Sequence, residues 1–424
     1  MQETAQDRPL LAVNAQTALN PASTMKLVTT YASLELLGPA YRWHTQAFLG
    51  GPLKDGLLSG DLILKGGGDP KLTLEAFWLL LRSLRAQGLK EIRGDLVIDR
   101  SRFAAGEHNG ALFDGDGLRP YNVGADALLI NFKSVRFQFW PDPAAGIARV
   151  TADPAIVEVA STLRLADVAC GEWRDRIKGD FPVQASPPRA MFSGTYSTAC
   201  GERDWHLALL SPTQYAAAIF RSLWTELGGS ISGVTREGIA PAQAKPVAAF
   251  ESPTLSEAVR DMNKFSNNVM ARQIFLSIAA DEASGPATAE GAQRAIKAWL
   301  AKKGLVFPEF SVENGSGLSR TDRISAQNLT TLLVSAFRSP SMPELMASLP
   351  LVAADGTMKR RLRNGAIAGQ AHIKTGSLSD VRAIAGYVLD RNGRRYAVTM
   401  IVNHPNAQKS QPAQDALLNW VYSR

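Results

Sequence analysis

Asn20-Pro21-Ala22-Ser23-Thr24-Met25-Lys26-Leu27 opens an apolar-rich helix that Gly38-Pro39 stops, and a short strand is expected just before it, over residues 10–13. A serine in the first turn of a helix and a lysine three residues later lie on one face, so their side chains can meet. A serine hydroxyl is a poor nucleophile until a base takes its proton. A lysine can be that base where burial or a second cation lowers its pKa toward neutrality. The helix N-terminus adds a positive dipole end beside the reacting oxygen. Alone, the pattern says little, because Ser-x-x-Lys arises about once or twice by chance in a chain of this size.

Two later elements use compatible chemistry. Ser266-Asn267-Asn268 falls in a break between helices expected over residues 254–264 and 269–280, where a loop can present a hydroxyl and an amide together. Capping alone would also explain it, since Ser and Asn satisfy helix-end backbone groups. Lys374-Thr375-Gly376-Ser377 lies on a strand expected over 371–376, where lysine and threonine can bind a carboxylate and glycine lets a substrate backbone approach. An exposed strand edge is the alternative there. Further strands are expected over 383–389 and 396–402 around an Asn392-Gly393 turn, with a closing amphipathic helix over 413–422.

Between the first element and the second the chain is mixed. Strands are expected over 60–65 and 94–98, helices over 74–87 and 213–227, and a β-rich stretch over 131–207, which together suggest one or two inserted units. Another helix is expected over 289–303. Gly66-Gly67-Gly68-Asp69-Pro70 lacks the Lys-Ser/Thr of a phosphate loop and reads as a tight turn between strand and helix.

Composition bounds the function. The 424 residues are two to three times a typical domain, with 45% hydrophobic and 20% charged residues. The 46 Lys and Arg against 39 Asp and Glu are scattered, without the basic stripe or stacking platform of a nucleic-acid binder. No apolar run approaches the roughly 18 residues that span a bilayer. Met1-Gln2-Glu3-Thr4 does not read as an export signal and taken alone points to the cytoplasm. Cys170 and Cys200 are too few for a zinc site, and they are either one disulfide or two buried thiols. The five histidines, His44, His108, His206, His372 and His404, carry no triad motif and read as structural or surface; His372, two residues before Lys374, merits a closer look.

Taken in order, Ser23-x-x-Lys26, Ser266-x-Asn268 and Lys374-Thr375-Gly376 resemble the signature of penicillin-binding proteins and serine β-lactamases. Their separations of 243 and 108 residues leave room for a large insertion that small β-lactamases lack. On that ground the chain resembles peptidase family S13, the D-alanyl-D-alanine carboxypeptidases/endopeptidases of the penicillin-binding protein 4 type. Gly67-Gly68-Asp69-Pro70, the run from Cys200 to Trp205, the run from Asn314 to Arg320, and Asp355-Gly356-Thr357-Met358 are similar to recurring segments of that family.

The resemblance implies an α/β (α+β) architecture: a β-lactamase/transpeptidase-like domain, an antiparallel sheet flanked by helices, built from residues 1–47 and 248–424. A second domain (48–132 and 209–247) is inserted after the nucleophile helix, and a third, β-rich one (133–208) is nested in the second. It favours a Cys170–Cys200 disulfide and a periplasmic protein whose export signal lies upstream of Met1. It implies that Ser23 forms a covalent ester with Lys26 as general base, Ser266 relaying a proton, and Lys374 keeping Lys26 neutral. Asn268 would bind the substrate amide, Lys374 and Thr375 the terminal carboxylate, with Gly376 allowing the approach. The N–H groups of Ser23 and Ser377 would form the oxyanion hole. Arg320 is implied near a stem-peptide carboxylate and Asp116 near a stem amino group. The implied partners are peptidoglycan peptides ending in D-Ala-D-Ala and β-lactams as covalent inhibitors, with no metal, nucleotide or organic cofactor. A β-lactamase or esterase on the same scaffold, and a non-catalytic cell-wall-binding protein, are the competing readings.

Overall fold

The computed structural model describes residues 1–104, 106, 108–184, 187–280 and 285–424. Alternation of side chains late in the chain builds the sheet on which the rest is arranged. Ala371–Leu378, Val381–Leu389 and Arg395–Asn403 form an antiparallel meander, and Gln2–Glu3 adds to the outer side of Arg395–Asn403. Ile373, Ile384, Val388 and Val398 face Leu418 and Val421 of the C-terminal helix Gln411–Tyr422, while Ala385, Tyr387 and Ala397 join the helical core on the other face. Lys374 is opposite Ala385 in the register and therefore shares that helical side.

The helical layer is organised around Lys26–Leu36, which is buried from Lys26 through Leu34. A helix apolar or small on every side needs neighbours all round. Leu255–Lys264, Asn268–Ala280, Ala289–Lys302 and Ala326–Phe337 supply them in one continuous core. Ala326–Phe337 and the short Met342–Ser348 are helices the apolar pattern does not announce. Thr330, Thr331 and Ser335 interrupt the periodicity of the first, and the second is only 7 residues long.

Residues 10–13 are not the expected strand. Leu10 and Val13 are 45% and 73% exposed, and the Leu10 and Leu11 N–H groups turn back onto the Met1 carbonyl. Preceded by Pro9 and lacking a partner strand, this apolar run forms a loop. The short strand that precedes helix Lys26–Leu36 is instead Ala18–Leu19, paired with Ile324–Ser325.

The interposed residues make their own core. Thr235–Glu237, Leu96–Asp99, Leu62–Lys65, His44–Leu49 and Ala248–Glu251 lie side by side in a five-stranded sheet, so the chain enters and leaves this unit on paired neighbouring strands. Helices Leu74–Ala86 and Pro212–Glu226 pack into the same core, the second started by a Ser211–Gln214 capping box. Residues 66–69 are not the expected tight turn but irregular backbone packed against the neighbouring chain, with the turn at Pro70 and Lys71; a Cβ on Gly66 would lie 2.1 Å from the Ala127 carbonyl oxygen. Within this unit is a seven-stranded sheet spanning Val135–Asp142 to Arg203–Leu207, with Phe137, Phe139, Phe192 and Tyr196 at its centre. Cys170 and Cys200 form a disulfide across it.

A bridge closing a loop of 30 residues contributes roughly 3 to 4 kcal/mol in the chain-entropy account. Cys200→Ser should therefore lower the urea midpoint of the unfolding step reported by Trp173 and Trp205 fluorescence, and a reductant should reproduce the shift in the unaltered protein. Equal midpoints would show that the bridge adds nothing to this sheet.

Candidate active site

Ser23 sits in a 3-10 turn, Ala22–Met25, that runs directly into helix Lys26–Leu36. Ala22 has a φ of +46, a conformation that costs an L-residue energy and needs support. The support is a set of amides: Asn20 Oδ1 accepts from the Ala22 N–H, Asn20 Nδ2 donates to Ser319 O, and Asn20 and Asn403 exchange bonds at 2.8 and 3.0 Å. Two glycines press the turn into place. A Cβ on Gly376 would lie 2.7 Å from Pro21 O and 3.1 Å from Ser23 N, and one on Gly317 would lie 2.0 Å from Ala22 O. These approaches bring the 371–378 strand and the 314–320 loop against the serine.

Lys26 has no exposed surface. Its Nζ is 3.1 Å from Ser23 Oγ, 2.7 Å from Asn268 Oδ1 and 2.6 Å from Ser316 O. An ammonium donates to all three. A neutral amine donates to the two carbonyl oxygens and leaves its lone pair facing the serine hydroxyl. Burial, followed by the charges of Lys374 and Arg272, pushes the Lys26 pKa well down, opposed by Asp322. Asp322 is itself buried, which raises its carboxyl to about 6.

Ser266 occupies the three-residue break between helices Leu255–Lys264 and Asn268–Ala280, with a φ of +56. The two asparagines divide the work. Asn267 Oδ1 accepts from Met270 N and caps the following helix, which is the capping role the residue types suggest, while Asn268 turns its side chain to Lys26. Lys374 Nζ donates to Ser266 Oγ at 2.8 Å and to Thr375 O at 2.8 Å. The strand is a sheet edge, yet Lys374 is fully buried, and burial brings its pKa down to about 7. Thr375 Oγ1 is 2.8 Å from Thr357 Oγ1. Ser23, Lys26, Asn268, Ser266, Lys374 and Thr375 thus form one polar cluster, and Ser377 is exposed two residues beyond Thr375.

The remaining expected residues lie at the rim. Arg320 is half-exposed, ion-paired with Asp380 at 3.2 Å and stacked on Phe113 at 4.5 Å. Asp116, three residues from Phe113 in the inserted unit, is ion-paired with Arg119. His372 shares the helical face of the strand with Lys374 but sits two residues along it beside Met346 and Arg395, its side chain mostly buried and its pKa lowered by burial. Sequence reasoning did not single out the Ser316 carbonyl, the Asn20–Asn403 pair, Thr357 or Arg272. The Gly315 and Gly317 pair around Ser316 was the available signal, because φ values of +71 and +75 mark a loop folded for close contact. Among the described residues, no group of His, Cys, Asp and Glu is placed to hold a metal, and no helix is long and apolar enough to cross a membrane.

Comparison with known proteins gives a consistent result. A family model described as the D-Ala-D-Ala carboxypeptidase 3 (S13) family matches residues 1–423. D-alanyl-D-alanine carboxypeptidase DacB of Haemophilus influenzae is 26% identical over 413 residues, covering 94% of this chain and 83% of its own. The crystal structure of penicillin binding protein 4 (dacB) from Haemophilus influenzae aligns with a TM-score of 0.86 at 26% identity, over 100% of this chain and 95% of that one. A second structure of that protein, complexed with a novel beta-lactam, aligns at 0.79 and 25% identity over 98% and 95%. The expected α/β transpeptidase-like fold stands.

The close approaches at Ser23 yield a test that leaves every polar group of the cluster in place. Gly317→Ala and Gly376→Ala should each slow any reaction of the protein with a fluorescent penicillin by about 100-fold, through displacement of the turn that carries Ser23. Gly365→Ala, whose new Cβ would find its nearest neighbour at 3.6 Å, should keep the unaltered rate. Equal rates in all three would show that the turn does not depend on these contacts.

Proposed function

The chain belongs to the D-Ala-D-Ala carboxypeptidase 3 (S13) family, and from that premise we propose that Ser23 is the acyl-accepting nucleophile of a serine D-Ala-D-Ala carboxypeptidase that acts on peptidoglycan stem peptides. The observation that carries this reading is the buried amine of Lys26 held 3.1 Å from Ser23 Oγ, with its two other partners both carbonyl oxygens. That environment favours a neutral amine whose lone pair faces the serine.

In the proposed reaction, Lys26 takes the Ser23 proton as Oγ adds to the carbonyl between two D-alanines. The oxyanion is received by the N–H groups of Ser23 and Ser377, each contributing roughly 3 to 4 kcal/mol if aligned. The proton that Lys26 took passes through Ser266, bonded to Lys374, to the departing nitrogen as the peptide bond breaks, which returns Lys26 to the neutral amine and leaves Ser266 protonated. Water then attacks the ester with Lys26 again as base, and Ser23 regains its proton. Asn268 holds the substrate amide, while Lys374 and Thr375 take the terminal carboxylate, or that of a β-lactam. A DD-endopeptidase activity on cross-links breaks the same type of bond at the same serine.

Arg320, at the rim and already stacked on Phe113, is proposed to meet a stem carboxylate by exchanging Asp380. Asp116 would meet a stem amino group by exchanging Arg119. The periplasm is the proposed location, supported by the Cys170–Cys200 disulfide, which persists in an oxidising compartment. We also propose the three-unit division at 47/48, 132/133, 208/209 and 247/248, supported for the first unit by its separate helical core and for the nested third by its own seven-stranded sheet.

Incubation with benzylpenicillin followed by intact-protein mass spectrometry should show one adduct on Ser23 that is absent from Ser23→Ala. Turnover of the drug with no accumulating adduct would support a β-lactamase instead, and neither adduct nor turnover in folded protein would support a binding protein.

The base assignment has its own expectation. Lys26→Met should lower the second-order acylation constant by about 1,000-fold. In the unaltered protein that constant should fall as pH drops through the Lys26 pKa, because protonation removes the lone pair. A flat profile would exclude Lys26 as base.

A further inference from the structure

Arg272 lies four residues after Asn268, on the same face of helix Asn268–Ala280, one turn deeper in the protein. The residue is only 6% exposed. Its Nη1 donates to Val123 O at 2.6 Å and Tyr121 O at 3.2 Å, both on the inserted unit, and its Nε has no partner. Among the described residues it forms no ion pair; Glu313 is the acid that acts on it through space. Burying an arginine on two backbone carbonyls is costly, since the carbonyls bring no compensating charge. Burial accordingly lowers its pKa to about 10, which still leaves it a cation at neutral pH.

The charge is not needed to seal the inserted segment, because a neutral amide could donate to the same carbonyls. Its surroundings suggest what it is for. The charged groups acting on Lys26 are Lys374 from the sheet, Arg272 from the helix and Asp322 from the loop, two cations against one acid. Glu313 and His108 are the groups beside Arg272 itself, and burial keeps His108 largely uncharged at neutral pH.

We propose that Arg272 is a positioning residue for acylation: its fixed charge biases Lys26 toward the neutral, proton-accepting form, and the Tyr121 and Val123 carbonyls hold the guanidinium where it does so. In this arrangement the inserted unit takes part in setting the base, although it contributes no atom to the polar cluster. The inference rests on Lys26 being the base for Ser23.

The test is the second-order rate of acylation by a fluorescent penicillin from pH 5 to 10 in three variants and the unaltered protein. Arg272→Gln keeps a donor for the two carbonyls and loses the charge. The midpoint of its acid limb should move up by about half to one pH unit, so that the rate at pH 6 falls roughly three- to tenfold while the rate on the alkaline plateau stays within about twofold. Arg272→Lys keeps the charge and should restore the original midpoint. Asp322→Asn removes the opposing charge and should move the midpoint the other way.

An unmoved limb in Arg272→Gln, a loss equal at every pH in both Arg272 variants, or shifts of the same sign in Arg272→Gln and Asp322→Asn would each overturn the proposal. Should circular dichroism show that Arg272→Gln does not fold, Arg272→Met takes its place under the same criteria. Should both charge-removing variants fail to fold while Arg272→Lys folds with its midpoint displaced, the electrostatic role is likewise overturned. Absence of any Ser23 adduct in the unaltered protein would remove the premise about Lys26, whereas an adduct with an unmoved limb removes only the role of Arg272.

Discussion

A lysine amine with no contact to water is the constraint on which this structure turns. A charged Lys26 would have to recover its hydration energy from protein groups alone, and what acts on it is a hydroxyl, two carbonyl oxygens, the charges of Lys374 and Arg272 and the opposing charge of Asp322. Burial and the two cations outweigh the acid and favour the amine over the ammonium. The same dryness that would make Lys26 a liability elsewhere holds its pKa well down here. Desolvation moves a lysine toward the range that an imidazole reaches by its intrinsic pKa.

Keeping that pocket dry requires four separate stretches of chain to close on one turn. The helix after Ser23 supplies Lys26, the break before Asn268 supplies Ser266, the 314–320 loop supplies a carbonyl, and the sheet edge supplies Lys374. Each approach is made possible by a local conformation that few residues tolerate: Ala22 and Ser266 at positive φ, and Gly317 and Gly376 where a Cβ would strike the nucleophile turn. The strain at Ala22 persists because Asn20, Asn403 and Ser319 over-determine it. Folding energy from the helical core is thus spent on geometry at one hydroxyl.

Much of this was legible in the residues, and the illegible part has a physical pattern. Ser23, Lys26, Ser266, Asn268 and Lys374 were readable because each is a side chain of distinctive chemistry at a recognisable spacing, and the structure brings all five together. The Ser316 oxygen was not, because a backbone carbonyl leaves no mark on residue type; only the glycines flanking it hint at a crowded turn. The failed strand at residues 10–13 shows the converse. Apolar side chains favour a strand only if a partner edge and a buried face are available, and with Pro9 before it the run found neither. The helix Ala326–Phe337 was hidden because its hydroxyl residues break the apolar period, although Thr330 returns its hydroxyl to the Ala326 carbonyl and is buried.

The inserted residues raise a different question, since a catalytic core that closes on itself does not obviously need them. Their entry and exit strands, His44–Leu49 and Ala248–Glu251, are paired neighbours, so the insertion imposes almost no separation on the two ends it interrupts. Such an insertion can be large without straining the catalytic layer. It nevertheless reaches back. Phe113 packs with Ala22, Leu378 and Val381 beside the nucleophile turn and carries Arg320 on its ring. The carbonyls of Tyr121 and Val123 hold Arg272, and Gln273 bonds both Asp69 and Asp126. Two successive residues of the helix that begins with Asn268 therefore bind the insertion by hydrogen bonds to backbone carbonyls, one from a guanidinium and one from an amide. The unit that looks like an appendage in the order of the chain is, in space, one wall against which helix Asn268–Ala280 is held.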